Sequence, residues 1–214
     1  MRRTACAILL TAIAIAAIGC SARAQRAEPS GFLTAYDTLQ ESETEPGVLR
    51  YERAGALSAY RRFLIEPIGV VPHPKADLDR VPIERLDELT QWLETALREE
   101  LGSAYTLVDA PGPGVLRLRA AITDVDPATP LLNLHPATKL TGLGLGGASF
   151  EAEGLDAITG ERVFAVLVSR DAAKRIGSGL GEWADARQVM RDWAAQFRAR
   201  VDAAHASAPA AGAE

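Results

Sequence analysis

The tightest constraint on this chain is a change of hydrophobic period along its length. Residues 115–126, VLRLRAAITDVD, alternate Leu116, Leu118, Ala120 and Ile122 with Arg117, Arg119, Ala121 and Thr123. Successive side chains of an extended chain point to opposite faces. Such a run therefore reads as a strand with one face on a core and the other in water. Residues 147–169, GASFEAEGLDAITGERVFAVLVS, read as a hairpin with the same period. Its first arm turns Phe150 and Ala152 inward and Glu151 and Glu153 outward. DAITG forms the turn, with Gly160 suited to positive φ.

Two other segments carry the helical period. In residues 82–102, Leu86, Leu89, Leu93, Ala96, Leu97 and Leu101 recur at i, i+3, i+4, i+7, the spacing of one helix face. Pro82 suits the first turn and Gly102 the C-terminal cap. Trp92 borders this stripe and reads as core edge. Near the C-terminus, Trp183, Ala186, Met190, Trp193, Phe197 and Val201 share one face of a second helix. Residues 60–71, YRRFLIEPIGVV, and the short run AYTLVDA supply two further strands.

The order is thus β-α-β-β-β-β-α. Strands that follow one another directly favour an antiparallel sheet, and both helices then pack on one of its faces, giving an α+β fold. The first strand joins through a helix, so its neighbour is open to a parallel pairing. Phe32, Leu33, Tyr36 and Leu39, at near-helical spacing in residues 30–40, predict a short helix docked on the body.

The N-terminus bounds the location. Arg2 and Arg3 precede an apolar run of residues 5–18 that ends in Ala17-Ile18-Gly19-Cys20. A spanning helix needs roughly 20 apolar residues, whereas a secretory signal core needs about 7–15. A small residue directly before a cysteine at the end of such a core resembles a bacterial lipobox; the alternative is an ordinary signal cut near residues 22–24. The chain has two cysteines, Cys6 and Cys20. Cleavage before Cys20 discards Cys6 and leaves a lone thiol with no disulfide partner, which thioether lipidation would use. The expected division is a signal peptide at 1–19, a lipidated tether at 20–29, one α+β domain at 30–204 and a disordered tail at 205–214. Ser21 fits sorting to the outer membrane with the domain facing the periplasm.

Charge narrows the partners. The net charge is −5, from 23 basic and 28 acidic residues, and becomes about −7 without Arg2 and Arg3. That sign argues against nucleic acid and gives no electrostatic attraction to anionic lipid.

The motifs that suggest chemistry have plainer readings. The glycines of TGLGLGGASF lead into a strand and lack G-x-G-x-x-G spacing, so they do not form a phosphate loop. Leu140, Leu143 and Leu145 among them read instead as a contact arm for a partner or a lipid surface. Asp124 with Asp126, and Glu151 with Glu153, are paired carboxylates that read as solvated strand edges, since no further ligands stand at metal-binding spacing. His73, His135 and His205 are scattered, and Ser178 lacks the nucleophile-elbow pattern. Neither a metal nor a cofactor is expected, and no catalytic residue stands out.

Taken in order, SGFLTAY, RYERAGALSAYRRFLIEPI, YTLVDAPGPGVLRLRAAITDVDP, EAEGLDAITGERVFAVL and the final Trp-containing helix resemble the bacterial outer-membrane lipoproteins of domain-of-unknown-function family 3313. The likeness runs from about residue 30 to 201. It implies an envelope lipoprotein held in the bilayer by covalent acyl chains, with no assigned catalytic residues. The leading expectation is a non-catalytic binding or assembly module, with an envelope protein or a second copy as partner. The alternatives are a carrier of an apolar ligand or lipid, which needs a pocket between sheet and helices, and a cell-wall or lipid hydrolase, which needs a cleft gathering Asp124, Asp126, Glu151 and Glu153.

Overall fold

The structure is a computed structural model that describes residues 28–126, 147–169 and 184–208. Eight strands form one sheet: β1 (Gln40–Glu41), β2 (Val48–Glu52), β3 (Arg62–Ile65), β4 (Gly69–Val70), β5 (Thr106–Leu107), β6 (Val115–Asp126), β7 (Gly147–Asp156) and β8 (Arg162–Val168). Their spatial order is β1-β2-β8-β7-β6-β3-β5, with β4 also on β6. Two helices, α1 (Ile83–Gly102) and α2 (Ala184–Ser207), cover one face.

The sheet is mostly antiparallel. β3 and β4 both run parallel to β6, as the intervening helix permits. Residues 60–71 make these two short strands rather than one, and Pro67 stands in the break; a proline has no N–H to give a ladder. A hairpin precedes them, β1 and β2, of which β2 joins β8 on the edge. The β7–β8 hairpin matches the sequence reading, with Gly160 at φ 71°. Asp156 closes its turn: Oδ1 accepts from the backbone N–H groups of Ile158 and Thr159. Those bonds hold the Asp156 carboxyl below its ordinary range.

Where they are described, the two helical stripes face the sheet; Trp183 lies outside the described residues and only the backbone of Ala186 is described. Leu89, Leu93, Ala96 and Leu101 are buried on α1, and Val189, Met190, Trp193, Ala194 and Val201 on α2. Phe150 and Trp193 meet at a tilt, with ring centroids 3.5 Å apart. At the other end of the sheet, Phe63 meets Tyr105 and Phe197 edge-on. The Phe164 ring lies across Gly154, its direct partner in the ladder, so closely that a Cβ at Gly154 would stand 2.2 Å from it. Helix α2 continues past residue 204 to Ser207, and His205 stacks on Tyr105.

The second face of the sheet corrects the sequence reading. Glu151 and Glu153 do point away from the helices, but both are 0% exposed, and Thr123 and Asp124 are buried as well. His73 lies against Asp124, and residues 28–39 cover Glu151 and Glu153. This segment forms no helix, and an irregular strap runs over β7 in β7's own direction. Leu33 is its buried apolar anchor. Strand periodicity shows which way a side chain points; only the rest of the chain determines whether water is there.

Candidate functional site

Two features stand out. The first is the pair of buried glutamates beneath the strap. Glu151 accepts from the Ser30 N–H at 2.7 Å and from the Tyr36 hydroxyl at 2.5 Å, one on each oxygen. Glu153 accepts from the Thr34 N–H and hydroxyl on Oε2 and from the Arg119 guanidinium at 2.6 Å on Oε1. All four carboxylate oxygens therefore have donors, the condition for burying ionised carboxylates. Burial and the bond to Glu151 push the Tyr36 hydroxyl above its ordinary range. Further along, Arg162 donates to the Ala35 carbonyl and the Thr38 hydroxyl. Arg119 also lies over the Phe32 ring, 4.9 Å from its centroid. The strap is thus held by polar side chains from β6, β7 and β8 and by one apolar anchor.

Asp124 sits apart from this pair. Its Oδ2 lies 3.6 Å from His73 Nε2, and its Oδ1 accepts from the Val125 N–H. A β-bulge between Ile122 and Asp124 breaks the alternation there. The solvated-edge reading fails for Asp124, Glu151 and Glu153 alike. For Asp126 only the backbone is described. Among the described residues no three His, Cys, Asp or Glu side chains stand close enough to hold a metal ion, and no helix is long and apolar enough to cross a membrane. Cys20, Leu140, Leu143 and Leu145 lie outside the described residues.

The second feature is an apolar cavity of about 320 Å³ between the sheet and the helices. Its origin is a row of residues at one height across the sheet. Ala120 pairs with Ala152, Ala152 with Val166, and Val166 with Arg50. The two alanines do not fill the gap that Phe150 closes on one side and Phe164 on the other. Leu93 and Leu97 of α1 and Trp193 and Phe197 of α2 form the roof. Arg50, Arg200 and the Thr44–Pro46 turn form the rim. The arginines are held by acids, Arg50 by Glu45 and Arg200 by Glu52. Sequence periodicity identified Leu93, Leu97, Ala120, Phe150, Ala152, Trp193 and Phe197 as core. It carried no signal that Ala120, Ala152 and Val166 stand side by side, because strand register sets that.

The chain is 28% identical over 169 residues to "Uncharacterized lipoprotein YdcL" of Escherichia coli (strain K12), covering 72% of this chain and 76% of that protein, and the protein of the same name in Escherichia coli O157:H7 gives the same figures. Among solved structures, two PelC dodecamers from Paraburkholderia phytofirmans overlap it. One has a TM-score of 0.40 at 14% identity, over 72% of this chain and 97% of that one. The other has a TM-score of 0.38 at 12% identity, over 69% and 96%. The profile of the family described as "Protein of unknown function (DUF3313)" matches residues 28–197, from the first residue of the strap into the last helix, and the chain belongs to that family.

Proposed function

We propose that this protein is an envelope lipoprotein, anchored to the outer membrane through Cys20, whose periplasmic domain is a non-catalytic binding module for an apolar ligand. The observation that carries the reading is the cavity. Ala152 and Val166 lie in the interior of the sheet yet remain only partly buried, so the core beneath the helices is not filled. Apolar clefts of about this size are the usual form of small-molecule sites. Against the hydrolase alternative stands the engagement of the Glu151 and Glu153 oxygens by strap donors and Arg119. The lipoprotein assignment draws on the lipobox-like Gly19-Cys20 and on the lipoprotein relatives.

Binding is tested by titrating the purified protein with dansyl-labelled undecanoic acid and following both dansyl emission and quenching of tryptophan emission. Saturable binding that Ala152→Leu weakens at least tenfold is expected, since the added side chain fills the floor. Absence of binding, or equal binding by the variant, would discard the apolar-ligand reading. Anchoring is tested separately by fractionating cells that carry Cys20→Ser, which should release the protein from the membrane.

A further inference from the structure

We propose that the end of the sheet bearing residues 73–80 faces the bilayer, at a stand-off set by the docked strap. The inference rests on the lipid anchor at Cys20 and goes beyond it, to which surface the membrane meets.

The direction of the strap carries the argument. Ser30 is tied to Glu151 and Thr34 to Glu153, and Ala35 and Thr38 to Arg162. The chain therefore enters at the N-terminal end of β7 and leaves toward the start of β8. One residue pair marks the entry point: Glu28 lies against Lys75 in an ion pair. Lys75 lies just past His73, whose N–H donates to the Thr123 carbonyl near the end of β6. Helix α1 also begins at this end, directly after residues 73–80.

Reach then selects the surface. From Cys20 to Glu28 the chain advances eight residues, which span at most about 28 Å when fully extended. Released as far as β1 at Gln40, it would advance twenty residues and span about 70 Å. The ten residues of β7 measure about 34 Å along the strand. With the strap docked, the 73–80 end is confined within about 28 Å of the headgroups, while the limit on the Gly160 turn is larger by about a strand length. Surface hydrophobicity does not select an end, because an exposed isoleucine stands at each, Ile83 and Ile158. The Thr44–Pro46 rim of the cavity, followed by Val48 opposite Val168, lies at the membrane-facing end.

The test uses the lipidated full-length mature protein in phosphatidylethanolamine–phosphatidylglycerol vesicles that carry a headgroup-linked energy acceptor. Cys20 is the mature chain's own cysteine and its sulfur is consumed by lipid, so a donor dye attaches selectively at Asp79→Cys or Ile158→Cys. Both positions are exposed. Transfer from position 79 is expected to exceed transfer from position 158 severalfold. Inserting about ten Gly/Ser residues between positions 27 and 28 should lower transfer at 79 and shrink the difference. Equal transfer at the two positions, greater transfer at 158, or no effect of the insertion would each overturn the proposal. Failure of the protein to stay on vesicles, or maleimide reaction at Cys20, would instead reject the anchor.

Discussion

Replacing Glu153 by Gln should unlatch the strap without unfolding the domain. The change keeps shape and volume but removes the charge and turns one acceptor into a donor. Glu153 receives three hydrogen bonds, from the Thr34 N–H, the Thr34 hydroxyl and Arg119. An amide cannot serve both sets: if its oxygen faces Arg119, its NH₂ faces the Thr34 N–H. Hydrogen bonds to a charged group contribute about 1.5–3 kcal/mol each, and a stranded buried donor costs about 1–3 kcal/mol. The strap limits the loss, because it can peel into water rather than bear the whole penalty. A local destabilisation of about 2–4 kcal/mol follows, which is about 30- to 1000-fold in an equilibrium. Hydrogen exchange measured residue by residue reads it directly, since local opening sets the rate. The Thr34 amide should exchange about 30- to 1000-fold faster in Glu153→Gln, with faster exchange at Ser30 as the strap lifts, while the amides of α1 keep their protection. Unchanged exchange at Thr34 in a normally folded variant would refute the claim that the buried carboxylate holds the strap.

Leu93 is 2% exposed beneath the sheet, so Leu93→Ala should cost about 2–5 kcal/mol and lower the melting temperature in a thermal scan. The loss should lie toward the lower end, because Leu93 borders an existing cavity. Gly154→Ala should destabilise by about 1–3 kcal/mol, since its Cβ would meet the Phe164 ring at 2.2 Å; denaturant titration measures it, and pairing it with Phe164→Leu should recover part of the loss. Burial, with the hydrogen bond to Asp202, pushes the Tyr105 hydroxyl up to about 12. The folded chain keeps that proton where the unfolded chain releases it, near pH 10. This contribution is complete below about pH 10 and is lost as pH rises through about 12, so Tyr105→Phe should flatten the alkaline fall in stability.

From the first long helix onward, sequence alone determined the kinds of element and their order, because those signals are local; before it, the β1–β2 hairpin went unread and the expected helix at 30–40 is an irregular strap. A 3.6-residue stripe such as Leu89–Leu93–Ala96 can bury itself only as a helix face, and the 2-residue period of residues 115–126 only as a strand. The Asp156–Gly160 turn was legible for the same reason: its bonds close within five residues. The same local pattern misjudged Glu151 and Glu153, whose burial depends on Ser30, Thr34 and Tyr36, more than a hundred residues earlier in the chain. No period in β7 encodes that contact. It missed the cavity for a related reason. Alanine at 120 and at 152 is unremarkable in either strand; side by side they leave a hole, and only the β6–β7–β8 register sets them there. Local chemistry determined direction and periodicity, whereas the tertiary structure decided what each face meets, because a side chain's solvent is set by whichever part of the chain folds over it.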